Sequence, residues 1–272
     1  MAAVQPCALL LVIGPDWHVE TVSANVGMLG DFRPSTVVGQ PLADIIGSKA
    51  IHTLRNRLAW LSSDESEVQD YGVQWGDVML DIRATRDEDR YLIEAELAVE
   101  PRLPDGIGMV RSMSDRLIGN QPVELAAQAM RLLHSLIGFE RVVICNDRDE
   151  VIASNLKSDT RAGGQTVKIA RLIADRDAER VPLVGDEENE LLVRAAYLAP
   201  TDNEVERLAG LGIAATMSLP LRIDGDLVGS LHAYNSTPKR IGAERLSVAH
   251  LFAERLVARM ARRGWGEYVL AP

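Results

Sequence analysis

The stretch Tyr71–Glu100, YGVQWGDVMLDIRATRDEDRYLIEAELAVE, alternates apolar and polar residues and is broken once, by the polar RDED. Alternation with a period of two sends successive side chains to opposite faces, so it specifies antiparallel strands with one face on a core. The same signal recurs twice. CALLLVI and WHVETVS flank the turn formers GPD near the N-terminus, and AATMSLPLRIDGDLVGSLHAYN closes on DGD at residues 214–235. Each reads as a hairpin.

Between the hairpins the apolar spacing changes to three and four. SKAIHTLRNRLAWLSS places Ile51, Leu54, Leu58 and Leu61 on one helical face. SANVGMLG reads as a short helix with Ser23 as cap. NQPVELAAQAMRLLHSLIGF has Asn120 as cap, Pro122 in the first turn, a stripe of Leu125, Met130, Leu133 and Ile137, and Gly138 as stop. The last helix, AERLSVAHLFAERLVARMARR, carries Leu246, Ala249, Phe252, Ala253, Leu256 and Met260. PRLPDGIG separates two such mixtures of strand and helix. The expected architecture is α+β in two domains, each a central antiparallel sheet flanked by helices. The boundaries are 4–100, a linker or helix at 101–117, 118–263, and a tail at 264–272.

The charge balance narrows the partners. A net charge of −10 over 272 residues repels phosphate backbones, which excludes nucleic acid as a first partner. The N-terminal apolar run stops at Gly14-Pro15-Asp16, too short for a signal peptide core or a membrane span, and reads as a buried strand. Cys7 and Cys145 have no C-x-x-C spacing, so neither a disulfide framework nor a zinc site is expected, and a reducing cytoplasm is the default. His18, His52, His134, His232 and His250 include no pair at metal-ligand spacing. His232 lies in a strand, where axial haem ligation competes with the commoner reading of a satisfied structural histidine. RAGGQT lacks the spacing of a phosphate loop and reads as a turn. No nucleophile motif is present, so no enzyme is expected.

Several stretches carry a resemblance. VQPCALLLV, DWHVETVSAN and VVGQPLADIIG resemble the PAS domain of bacterial phytochromes. GFERVVI, RLIADRDAERVPLV, GLGIAATMSLPLRIDGDLVGSLHAYN and the terminal helix resemble the GAF domain that follows it there. The resemblance covers nearly the whole chain in order. It implies an N-terminal PAS domain, then a GAF domain, and a linear tetrapyrrole as the family's ligand.

Compared with the family, this chain departs at several points. The attaching cysteine of bacterial members lies upstream of the QP that matches Gln5-Pro6, and only four residues precede Gln5. Covalent bilin attachment is therefore not expected, nor is the N-terminal segment that threads a knot in relatives. Cys7 reads as a small apolar residue of the first strand. Between IASN and RLIAD the family's Asp-Ile-Pro loop is missing, and its paired histidines fall on Tyr234 and Asn235. What the resemblance leaves as ligand-binding candidates are Arg171 and Arg194 for carboxylates, Ser218 on the pocket wall, and His232 and Tyr234 beside them. For the arginines the bland alternative is pairing with the acidic stretch DEENE.

The expected function is that of a phytochrome-related sensory and signal-transduction protein, acting through dimer and partner contacts with no resident cofactor. The alternatives are a light sensor holding biliverdin or another tetrapyrrole non-covalently, or a sensor of a small ligand in the GAF cavity. A homodimer through the terminal helix and residues near 107–137, together with a signalling protein partner, is the expected assembly.

Overall fold

The computed structural model describes residues 2–60, 67–155, 165–186 and 190–262. They form two units, one from residues 1–100 with 176–205, the other from 101–175 with 206–272. The elements run β1 (Ala3–Val4), β2 (Ala8–Ile13), β3 (Val19–Ser23), α1 (Pro34–Val37), α2 (Leu42–Ile46), α3 (Ser48–Leu58), β4 (Glu67–Trp75), β5 (Val78–Asp87) and β6 (Arg90–Leu97). There follow α4 (Gly106–Asp115), α5 (Pro122–Ile137), β7 (Arg141–Asn146), β8 (Val151–Ser154) and β9 (Arg171–Ile173). The chain ends with β10 (Val181–Gly185), α6 (Asp202–Gly210), β11 (Ala215–Ile223), β12 (Asp226–Asn235) and α7 (Ala243–Ala261). Every named strand pairing is antiparallel, as the α+β expectation requires.

In the first unit the sheet order is β1-β10-β3-β2-β6-β5-β4. The apolar run of β2 is continuous because it is covered on both faces. Leu9, Leu11 and Ile13 join a core with residues of α2 and α3, while Leu10 and Val12 join Val4, Leu183, Leu191 and Leu192. The second face exists because residues 176–205 belong to this unit. The sequence boundaries assigned them to the second domain, but β10 pairs with β1 and β3.

The N-terminus also differs from expectation. Val4 opposes Val181 in the ladder and also bridges to Leu198. The Gln5 N–H donates to the Tyr197 carbonyl at 3.0 Å, and the Ala199 N–H to the Ala3 carbonyl at 2.8 Å. Residues 3–5 are thus held by backbone pairing both to β10 and to residues 197–199. Cys7 lies in the turn before β2, not in the strand, and is partly exposed.

In the second unit the sheet order is β8-β7-β12-β11-β9. Asp224 and Gly225, at φ 52° and 93°, make the left-handed hairpin turn expected from DGD. α5 starts at Pro122 and stops at Gly138, whose φ of 64° lets its N–H close on the His134 carbonyl at 2.8 Å. Within 101–117 the Asp105 carboxylate accepts from the Gly108 N–H at 2.8 Å and caps α4. α4 and α5 pack on α7, and α5 and α7 pack on β7 and β11. The predicted Leu61 and the tail 264–272 lie outside the described residues.

Candidate functional site

Strand register decides which side chains of the second-unit sheet share a face. Ser218 on β11 opposes Arg171 on β9 and His232 on β12. One pleat further along, Thr216 opposes Ile173 and Tyr234, and Tyr234 opposes Arg141 on β7. Val143 opposes His232, and Cys145 opposes Ser230. All these residues therefore lie on one face. Val143, Cys145, Ile173 and Tyr234 are buried there with Leu208 and Ile213. The alternate residues Met217, Leu219, Leu231, Ala233, Val142 and Ile144 form the other face, all buried and apolar.

His232 is 1% exposed. Its Nδ1 lies 2.8 Å from Ser218 Oγ, while Nε2 is buried with no hydrogen-bond partner among the described residues. Burial pushes its pKa down to about 4, against an opposing pull from the Asp149 carboxylate. The ring is therefore neutral near pH 7. Tyr234 stacks beside it, ring centroids 6.2 Å apart, and the Arg141 guanidinium sits 5.3 Å from the Tyr234 ring centre. Burial raises the Tyr234 phenol to about 12, with the Cys145 sulfur pushing the same way.

Two further residues belong to this face or its rim and were missed from the sequence. Thr216 Oγ1 is a second buried polar atom with no partner among the described residues. Its i, i+2 spacing from Ser218 on a predicted strand was the available signal. Asp149, in the turn after β7 at φ 64°, accepts from the Thr166 hydroxyl at 2.7 Å, and bonds from Thr166 hold its pKa below the usual carboxylate range.

Four of the five predicted site residues, Arg171, Ser218, His232 and Tyr234, are brought together. Arg194 belongs to the first unit. Its Nη1 donates to the Arg86 carbonyl at 2.9 Å and its Nη2 pairs with Asp87 at 3.1 Å. Of the acidic stretch offered as its partner, residues 187–189 lie outside the described residues, as does most of RAGGQT. Among the described residues no group of three or more His, Cys, Asp or Glu side chains could hold a metal ion. Nor is any described helix long and apolar enough to cross a membrane.

Comparison with known proteins places this architecture in a family. The GAF domain family matches residues 121–260 and the PAS fold matches residues 1–98. The chain belongs to the GAF domain family, with a PAS fold before it. Its fold is that of the phytochrome chromophore-binding module. The chromophore-binding domain of Stigmatella aurantiaca phytochrome P1 superposes with a TM-score of 0.74 at 22% identity, covering 94% of this chain and 95% of that one. The chromophore-binding domain of an unusual bacteriophytochrome, RpBphP3 from R. palustris, gives 0.76 at 20% identity, covering 97% and 96%. The photosensory core module of the Stigmatella protein gives 0.74 at 21% identity, with 96% of this chain covering 58% of that one. No curated protein matches the chain.

Proposed function

We propose that this chain is a phytochrome-related sensory module that holds a linear tetrapyrrole without a covalent bond and passes its state on through protein contacts. The observation that carries the ligand is the pair of buried polar atoms, His232 Nε2 and Thr216 Oγ1, with no partner among the described residues. A buried polar group without a hydrogen bond costs about 1–3 kcal/mol, so such atoms on the face holding the predicted ligand residues favour a polar ligand there. The residues fit a tetrapyrrole. His232 and Thr216 suit its pyrrole and lactam groups, Arg171 suits a propionate carboxylate, and Val143, Ile173, Leu208 and Ile213 supply apolar wall. When bound, the tetrapyrrole supplies absorption of visible light. No thioether is proposed, since neither Cys7 nor Cys145 stands at the attachment position that the resemblance implies.

The contacts that carry the signal are assigned to the α4–α5–α7 layer meeting a second copy, with a signalling protein downstream. Exposed Ile107, Ile118, Val123 and Leu251 lie on this layer or its connection. The test of the ligand is expression of the full chain with biliverdin and a visible spectrum before and after denaturation. The expected result is a red-absorbing band whose pigment separates from the denatured chain. A colourless protein overturns the ligand and leaves signalling through contacts alone.

A further inference from the structure

The charges of the helical layer are sorted along its length. At the start of α7 the Glu244 carboxylate accepts from Arg102 Nη2 at 2.8 Å and from the Leu103 N–H at 2.9 Å, and at the far end Arg259 Nη1 lies 3.4 Å from the Ser114 carbonyl. α4 and α7 therefore run the same way and finish together. Towards that finish stand Arg111 and Arg116 on or just after α4, and Arg255, Arg259 and Arg262 on or just after α7. The last three share one helical face, at i, i+4 and i+7. Arg259 is partly exposed and the other four are exposed. Among the described residues none of the five pairs with an Asp or Glu, although Asp115 and Glu254 stand on the same helices. Elsewhere Arg83, Arg90, Arg102 and Arg180 each find a carboxylate. In a chain with 39 acidic and 29 basic side chains, such an unneutralised cluster runs against the composition. The helix macrodipole favours cations in or at the last turn, which covers Arg116, Arg259 and Arg262 but not Arg111 or Arg255.

We propose that this end of the layer docks an acidic segment of a signalling protein, with the five arginines receiving its carboxylates. This rests on the reading that the layer acts through protein contacts, and not on a bound tetrapyrrole. A guanidinium offers a carboxylate two parallel N–H donors, so a cluster of them suits several carboxylates at once. An apolar anchor adjoins the cluster. Ile118 follows Arg116 by two residues and is 74% exposed. The Gln128 side chain fixes its backbone, accepting from the Ile118 N–H at 2.8 Å and donating to the Ile118 carbonyl at 2.6 Å. An anchor whose backbone is already held loses less freedom on docking. The segment that fits therefore carries carboxylates around an apolar residue. DNA and anionic bilayers are extended polyanions that also face the rest of a chain of net charge −10. A short acidic segment instead meets only the charges within a screening length of about 8 Å. A second copy docking by the same end would set arginine against arginine.

The experiment follows the anisotropy of a fluorescent peptide of glutamates interrupted by leucines as the full chain is added. Phosphatidylserine vesicles and a DNA duplex serve as rival probes, and light scattering reads the oligomeric state in parallel. Wild type is expected to bind the peptide, with affinity falling about threefold or more between about 50 and 200 mM salt. Arg111→Glu combined with Arg255→Glu is expected to weaken binding about tenfold or more. Arg33→Glu combined with Arg148→Glu changes the net charge equally at exposed sites outside the layer, and should leave affinity within about twofold. No weakening in the first double variant, or equal weakening in both, overturns the inference. A peptide affinity indifferent to salt does the same without relying on any variant's folding. Tighter binding of vesicles or DNA, lost in the first double variant, overturns it in favour of that polyanion. A dimer that takes no peptide overturns the inference and leaves the contact reading standing, whereas a monomer that takes none removes both from this layer.

Discussion

Glu94 Oε2 lies 2.6 Å from Arg83 Nη1 in the first unit, and the carboxylate is 1% exposed. The same carboxylate accepts from the backbone N–H groups of Ala196 and Tyr197, at 3.1 and 2.9 Å, and Arg83 also reaches Glu67 at 2.7 Å. Burial disfavours the guanidinium, but the Glu67 and Glu94 charges outweigh it and raise its pKa further. One buried carboxylate thus joins β5, β6 and the segment around residues 194–197.

Removing one partner of a buried ion pair strands the other, so Glu94→Ala is expected to cost about 3–5 kcal/mol. Glu94→Gln should cost less, because an amide oxygen still accepts from the two N–H groups. Urea unfolding measures both. A loss under about 1 kcal/mol in Glu94→Ala would show that the pairing adds nothing to stability.

Val4 is fully buried among Leu10, Val12, Leu183 and Leu192. Val4→Asp puts a charge into that core and is expected to prevent stable folding of the first unit, whereas Val4→Ile should be tolerated within about 1.5 kcal/mol. Gly185→Ala tests the same arrangement from β10, since a Cβ there would collide with the Glu20 carbonyl at a backbone φ of 118°. Amide exchange across β3 and β10 should rise sharply in both damaging variants. Unchanged protection would mean that residues 176–205 do not belong to this sheet in solution.

How far the sequence was legible follows from the range of the interactions. The hairpins β2–β3 and β11–β12 and the helices α5 and α7 were readable, because alternation, turn residues and capping act within a few residues. β10 was not. VPLVG is short, contains a proline, and finds its partners, residues 3–4 and 21–23, far away in sequence. The pairing of Arg194 with Arg86 and Asp87 was unreadable for the same reason, since both are distant in the chain. On the candidate face, the convergence of Arg171, Ser218 and His232 was readable as resemblance, but the unpartnered state of Nε2 depends on packing that no local pattern encodes.

His232 also predicts a dependence on pH. Its imidazole titrates near 6.5 when unfolded and near 4 in the fold. Between those values the unfolded chain binds more protons, so stability rises with pH through this window and is complete above it. The contribution is about 3 kcal/mol, lost as pH falls from about 6.5 toward 4. The lowered Asp149 carboxyl acts in the same direction, but its contribution is lost only below its ordinary value of 3.8, outside this window. Urea midpoints at pH 7.5 and 5 should diverge in wild type and converge in His232→Leu. An identical pH response in the variant would assign the effect to other groups.

The helical layer of the second unit carries apolar side chains that its own core does not use. Ile107 on α4 is 82% exposed, and Val123 on α5 and Leu251 on α7 are exposed as well, while Val110, Met113 and Leu246 of the same helices are buried. Burying such residues against an identical surface yields about 25 cal/mol per Å² of apolar area, and a two-fold axis counts each contact twice. The full chain is therefore expected to elute as a dimer at micromolar concentration in light-scattering chromatography. Ile107→Glu combined with Leu251→Arg should give a monomer with unfolding unchanged to within about 0.5 kcal/mol, because surface substitutions leave the core intact. A monomeric wild type, or a double variant that remains dimeric, would place the signalling contacts on another surface.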